Sequence, residues 1–271
     1  MGARIRRLSE GVGPAVVAPA RRTLGPRFLR HYVSPLRRRR VPDAEPAQES
    51  KLDALARELD DSLTIMLGYS PLKTRYHYNA VENSILEHFI DRPPKPGMSV
   101  LDVGSGAGHW LDFYRAVLGA TRVVGVELAP QVAEALQRKY QAVDEVTVLN
   151  ADVVDPISVE PPFDVVNAIG VMFHIVEDSR WERAVANLAG LLAPDGVMIV
   201  GGQFGPVTHD VGFRRAGDGD SMEVFKRLRS RRRWRSCAEA AGLRQVRYIH
   251  TRRSRMIDPP EANLLVFERA R

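Results

Sequence analysis

Three carboxylic acids and one imidazole occupy places in this sequence where chemistry could be done. Asp102 lies in Ser99-Val-Leu-Asp-Val-Gly-Ser-Gly-Ala-Gly-His109, where Gly104, Gly106 and Gly108 alternate with small residues. Glu127 closes Arg122-Val-Val-Gly-Val-Glu127, nineteen residues after Gly108. Asp152 follows Val146-Thr-Val-Leu149, and His174 follows Phe163-Asp-Val-Val-Asn-Ala-Ile169. Each polar group therefore sits in or just behind a short apolar, β-rich run, as residues at strand tips do. The alternating glycines let the backbone turn sharply and approach a ligand where side chains would collide. A helix starting near Trp110 then aims free backbone N–H groups at a small molecule.

The glycine spacing separates two kinds of nucleotide site. A dinucleotide fingerprint begun at Gly104 would want glycine or alanine where His109 stands. The Asp102 carboxylate would repel a pyrophosphate but suits an ammonium or a sulfonium. Glu127 either accepts both hydroxyls of a ribose or is a surface acid ahead of a helix N-terminus. Asp152 is either a ligand contact or a turn cap, a common use of Asn and Asp.

The segment Asp102-Val-Gly-Ser-Gly-Ala-Gly108 resembles the first motif of the class I S-adenosylmethionine (SAM) dependent methyltransferases, and the resemblance runs from about Tyr76 to the C-terminus. It implies a Rossmann-like α/β fold with a mostly parallel seven-stranded sheet, helices on both faces and an antiparallel C-terminal strand. It also implies SAM as cofactor, touched by Asp102, Gly104, Ser105, Gly106, Gly108, Glu127, Leu128, Asp152, Val153 and Asn167. In that scheme Asp152 accepts from the adenine amino group and the next amide, that of Val153, meets a ring nitrogen. His174 falls beside the sulfonium methyl, as a base for an acceptor hydroxyl or as a capping histidine. His109 and Trp110 either line the methionine end or pack.

The elements that must position these groups alternate strand and helix. Runs at 99–103, 122–127, 146–149, 163–169 and 196–200 read as strands, with helices over 130–140 and 181–192 between them. Such alternation demands a parallel sheet with helices on both faces. A last helix over 233–243 precedes two strands, 245–251 and 263–268, expected to pair antiparallel.

Ahead of this core, 98–271, come two other regions. Leu52, Leu55, Leu59, Leu63 and Met66 recur at three and four, which predicts an amphipathic helix ending near Gly68 within a cap over 49–97. A second helix is expected from near Asn79, leaving Tyr76-His-Tyr-Asn79 between them as a capping patch or as a flap offering Tyr76 and Tyr78 to the site. Residues 1–48 read as a basic, flexible arm: Met1 to Pro46 holds eleven arginines against three acids and six prolines. That arm is a silent extension, an organellar leader or a phosphate-binding segment. After the fifth strand the long connection over about 202–231 is expected to form a lid, with His209, Asp210, Phe213, Arg214 and Arg215 toward the acceptor. Arg227-Leu-Arg-Ser-Arg-Arg-Arg233 reads as a solvated helix face or a site for an anion.

Composition narrows the function classes. In 271 residues with a net charge of +6, Cys237 is the only cysteine, which excludes an intrachain disulfide and a cysteine-based zinc site. A reducing, cytoplasmic location and a soluble chain fit best, since no apolar run approaches the roughly 20 residues that span a bilayer. The segment after the fourth strand lacks the Asn/Asp-Pro-Pro-aromatic signature of amine-directed enzymes and the acids of metal-dependent catechol-type enzymes. The expected function is metal-independent methylation of a small-molecule or glycoside hydroxyl. RNA methylation gripped by the arm, a silent SAM-binding partner protein and a dinucleotide oxidoreductase are the rivals.

Overall fold

A computed structural model describes residues 48–61, 70–202, 204–214, 222–249 and 263–270. The basic arm, Leu63, Met66 and Arg215 lie outside the described residues. The cap holds α1 (Gln48–Glu58) and α2 (Pro71–Asp91). Then follow β1 (Ser99–Val103), α3 (His109–Ala116), β2 (Arg122–Glu127), α4 (Pro130–Tyr140) and β3 (Val146–Asn150). The second half runs β4 (Phe163–Ile169), a 3-10 turn (Met172–His174), α5 (Asp178–Leu191) and β5 (Leu192–Gly201). A hairpin of β6 (His209–Arg214) and β7 (Met222–Leu228) comes next, then α6 (Arg231–Ala240), β8 (Leu243–Ile249) and β9 (Leu264–Arg269).

Seven strands form one sheet in the order β3-β2-β1-β4-β5-β9-β8. β1 to β5 pair in parallel, and β9 runs antiparallel between β5 and β8. The expected fold is therefore present. Because the chain moves from β1 outward to β3 and then returns to place β4 on the other side of β1, a crevice opens at the carboxyl ends of β1 and β4.

Residues of period two divide between the two sheet faces. Val100, Val165 and Ile199 join the core under α1, α2, α3 and α4, where Ile85, Leu111 and Leu136 are fully buried. Leu101, Val166 and Met198 join the other core with Trp181 and Leu188 of α5 and Trp234 of α6. Asp102 and Asn167 fall in register with each other on the first of these faces.

Three local expectations change. α1 stops at Glu58, with Leu59 at φ 45, short of the predicted Gly68. α2 begins eight residues earlier than Asn79, because Ser70 caps it and Pro71 presets the first turn. Tyr76 to Asn79 thus lies inside a helix. The 202–231 connection is largely the β6–β7 hairpin, and Arg227 and Arg229 belong to its end rather than to a solvated helix.

Candidate active site

The glycine bend closes over the tips of β1 and β2. Gly104, Gly106 and Gly108 all take positive φ, and a Cβ on Gly104 would come within 2.8 Å of the Val171 side chain. Amides of the bend fold back on the sheet: Gly104 N donates to Val126 O at 2.7 Å, and Gly106 N donates to Glu127 Oε2 at 3.0 Å. Glu127 Oε1 accepts from Ala129 N at 3.0 Å. Each carboxylate oxygen holds a second lone pair, so Glu127 keeps acceptor capacity for a ligand hydroxyl while the bend fixes its orientation. Asn150 Nδ2 donates to the carbonyls of Glu127 and Leu128 at 2.9 and 3.0 Å, tying the β3 tip to the β2 tip.

Asp102 stands differently from the expectation of a carboxylate facing a ligand. It is wholly buried, with Oδ1 accepting from Asn167 Nδ2 at 2.7 Å. Asn167 Oδ1 in turn accepts from Tyr114 OH at 3.1 Å, so Asn167 serves Asp102 and lies too deep for direct cofactor contact. Asp102 Oδ2 is buried without a hydrogen-bond partner. Burial pushes the Asp102 carboxyl up to about 6, against the hydrogen bonds of Asn167 and Ser105 that lower it. An orphaned carboxylate oxygen beneath a side-chain-free bend fits a ligand that brings a cationic or N–H donor.

At the β3 tip, Asp152 Oδ1 accepts from Val154 N at 2.9 Å and Oδ2 pairs with Arg180 at 2.8 Å. Val153 is buried, whereas Leu128, next to Glu127, stays 64% exposed. Glu127 thus ends β2, and Asp152 follows the tip of the neighbouring strand β3.

Beyond the bend, the cap supplies partners that the sequence did not reveal. His109 Nδ1 meets Asp61 Oδ2 at 2.9 Å, and its Nε2 meets Glu82 Oε1 at 2.8 Å. Tyr78 stacks on the same imidazole, with centroids 3.7 Å apart. Sequence distances of 48 and 27 residues separate these acids from His109, so only the fold joins them. Trp110 is buried among Tyr78 and Phe113, in the core rather than along a ligand. Tyr76 remains exposed on α2.

Beyond β4, His174 ends the 3-10 turn, its amide bonded to Val171 O at 2.9 Å. The residue is exposed along one side, yet protein packed round the imidazole, and the Lys226 ammonium next, hold it down to about 4. It is therefore neutral, with a lone pair to offer, across the neutral range. Lys226 lies over the Phe173 ring at 4.9 Å. Asp210 is chelated by Arg227, Nε at 2.6 Å and Nη2 at 2.9 Å, and so braces the hairpin rather than facing an acceptor. His209 Nδ1 bonds Val207 O at 2.9 Å, and Arg214 ends β6.

The sheet order is that of a Rossmann-like α/β fold. Residues 100–196 match the profile of a family described as methyltransferase domain. Similar solved structures include an S-adenosylmethionine-dependent methyltransferase from Clostridium acetobutylicum (TM-score 0.55, 11% identity, 72% of this chain and 92% of that one). Another is a SAM-bound amino pentose methyltransferase from Micromonospora echinaspora (TM-score 0.53, 18% identity, 85% of this chain and 100% of that one). A ribosomal RNA large subunit methyltransferase E from Syntrophobacter fumaroxidans is 36% identical over 114 residues, 39% of this chain. The chain spans about half the length of that relative, 54%. Over residues 100–196 the chain is thus similar to a methyltransferase domain, and its fold is that of the SAM-dependent methyltransferases it resembles. No helix among the described residues is long and apolar enough to cross a membrane.

Proposed function

We propose that this protein is a cytoplasmic, SAM-dependent methyltransferase that acts without a metal on a hydroxyl of a small molecule or glycoside. The observation that carries the reading is Glu127 locked by the Gly106 and Ala129 amides at the mouth of the glycine bend. Glu127 would hold the ribose hydroxyls, and the exposed Leu128 would cover one face of the adenine. Asp152 and the Val153 amide would take the purine's polar edge. Asp102, beneath the bend, would balance the positive charge of the methionine end. When bound, SAM supplies an electrophilic methyl group whose transfer to oxygen leaves S-adenosylhomocysteine.

His174 would work at the acceptor. A hydroxyl donating to its free lone pair is oriented toward the crevice, and alignment of this kind supplies much of the acceleration. As the O–CH₃ bond forms, the oxygen becomes cationic and its proton strongly acidic. An imidazole held near 4 is a weak base, yet it suffices for a proton released that late. The two acids that follow His174 are both engaged, Glu177 by the Ser179 hydroxyl and Asp178 by Arg229, which supports a mechanism free of a metal there.

Calorimetry with S-adenosylhomocysteine tests the cofactor half. No heat with clean, folded protein overturns the proposal. Release of S-adenosylhomocysteine from SAM across a panel of hydroxylated acceptors tests the other half. Binding without turnover on any acceptor would favour a silent SAM-binding partner instead. The similarity to an RNA methyltransferase and the eleven arginines in residues 1–46 favour RNA as a second reading. RNA binding would weaken steeply with salt and with deletion of residues 1–45.

A further inference from the structure

We propose that Arg229 is a positioning residue for the acceptor end of the site, fastening the segment 175–178 and so fixing where His174 stands. The inference rests on the role given to His174 above. Arg229 leaves the end of β7 with its side chain 1% exposed. Nη1 donates to Ile175 O at 2.9 Å and Nη2 to Val176 O at 3.3 Å. Nε and Nη2 both reach Asp178 Oδ1, at 3.0 and 2.8 Å, and the guanidinium lies 4.3 Å from the Trp181 ring centroid.

The two carbonyls belong to residues between the 3-10 turn and α5, where regular structure provides no backbone donors for them. A half-buried carbonyl left without a donor is still costly, so one guanidinium here fixes the path of the chain directly after His174. Only a planar fork can serve two successive carbonyls and a carboxylate while stacked on an indole. Lysine, a point charge on a flexible stem, cannot reproduce it. Asp178 also lies 3.5 Å from Arg227 Nη1, and Arg227 chelates Asp210 on β6. Both hairpin strands are thereby tied to the turn that carries His174, and β7 packs against that turn. An acceptor pressing on the hairpin would be felt at the imidazole.

Arg229→Met and Arg229→Lys in the full chain test this by NMR titration of labelled histidines, which needs no known acceptor. His174 should titrate near 4 in the wild type, and its surroundings are Phe173, the Phe225 backbone and the Lys226 ammonium. Once the segment is released, its midpoint should rise by about one unit or more toward the ordinary value in Arg229→Met, with lysine rescuing less than half of the change. His77 and His88, also held down to about 4 but far along the chain on α2, serve as internal references and should stay fixed. S-adenosylhomocysteine affinity should stay within about two-fold. An unmoved His174 in a folded variant, or equal movement of all three histidines, overturns the proposal. Should Arg229→Met fail to fold, Asp178→Asn removes the charged anchor at a half-exposed site and carries the same expectation. Absence of any heat with S-adenosylhomocysteine in the wild type would sink the methyltransferase reading and leave this titration still decisive.

Discussion

The two sides of the crevice are built from different materials. On the side proposed for the cofactor, the Gly106 amide of the glycine bend grips the Glu127 carboxylate, with the Asp102–Asn167–Tyr114 trio buried beneath. On the side proposed for the acceptor, long charged side chains from three separate elements, Arg227, Arg229, Asp178 and Asp210, hold a hairpin against a short turn. Main-chain construction leaves no room for a side chain at Gly104 or Gly108. Side-chain construction can be re-cut one residue at a time, which suits the side proposed to choose the acceptor.

The contrast is sharpest at Gly104. Gly104→Val should abolish detectable S-adenosylhomocysteine binding, a loss beyond about 100-fold, because the position is at φ 72 and its Cβ would strike Val171. Calorimetry checks it, with circular dichroism to confirm the fold. On the acceptor side, His174→Ala should lower turnover about 100-fold while cofactor affinity stays within two-fold. Equal turnover in that variant would remove histidine from the chemistry. Glu127→Ala should weaken S-adenosylhomocysteine binding by roughly 10- to 100-fold, the range of lost hydrogen bonds to a charged group. A loss of turnover at saturating SAM would instead mix the two sides.

The smallest expected effect is on stability. His77, His88 and His174 are each held down to about 4 by burial, so the native chain binds fewer protons than the unfolded chain between about 4 and 6.5. Their contribution is present above 6.5 and is lost as pH falls through that window; His174, exposed along one side, weighs least. Asp102 opposes them: raised from 3.8 to about 6, it favours the native state at low pH and loses that advantage as pH rises through the same window. Thermal midpoints should climb from pH 4 to 6.5, and more steeply in Asp102→Asn. An identical slope in that variant would show that burial does not perturb Asp102.

The glycine bend, the alternation of strands and helices and the two last strands were legible because each depends on local pattern: β-rich runs, alternating glycines, helical spacing. Pairing across strands was not. Asn167 reads as one more ligand contact until β4 is laid in register beside β1, where it faces Asp102. Arg229 sits in a run of arginines that composition assigns to solvent, and only the return of β7 onto the Met172–His174 turn buries it. The early start of α2 had a local signal, Ser70-Pro71, overshadowed by the apolar spacing that begins at Val81.

The position of β9 has a consequence during synthesis. Leu264, Leu265, Val266 and Phe267 are completely buried between β5 and β8, so two neighbours made earlier must wait for a strand translated after both. Until residues 264–269 leave the ribosome, β5 keeps a bare hydrogen-bonding rim, and the nascent chain is most open to mispairing there.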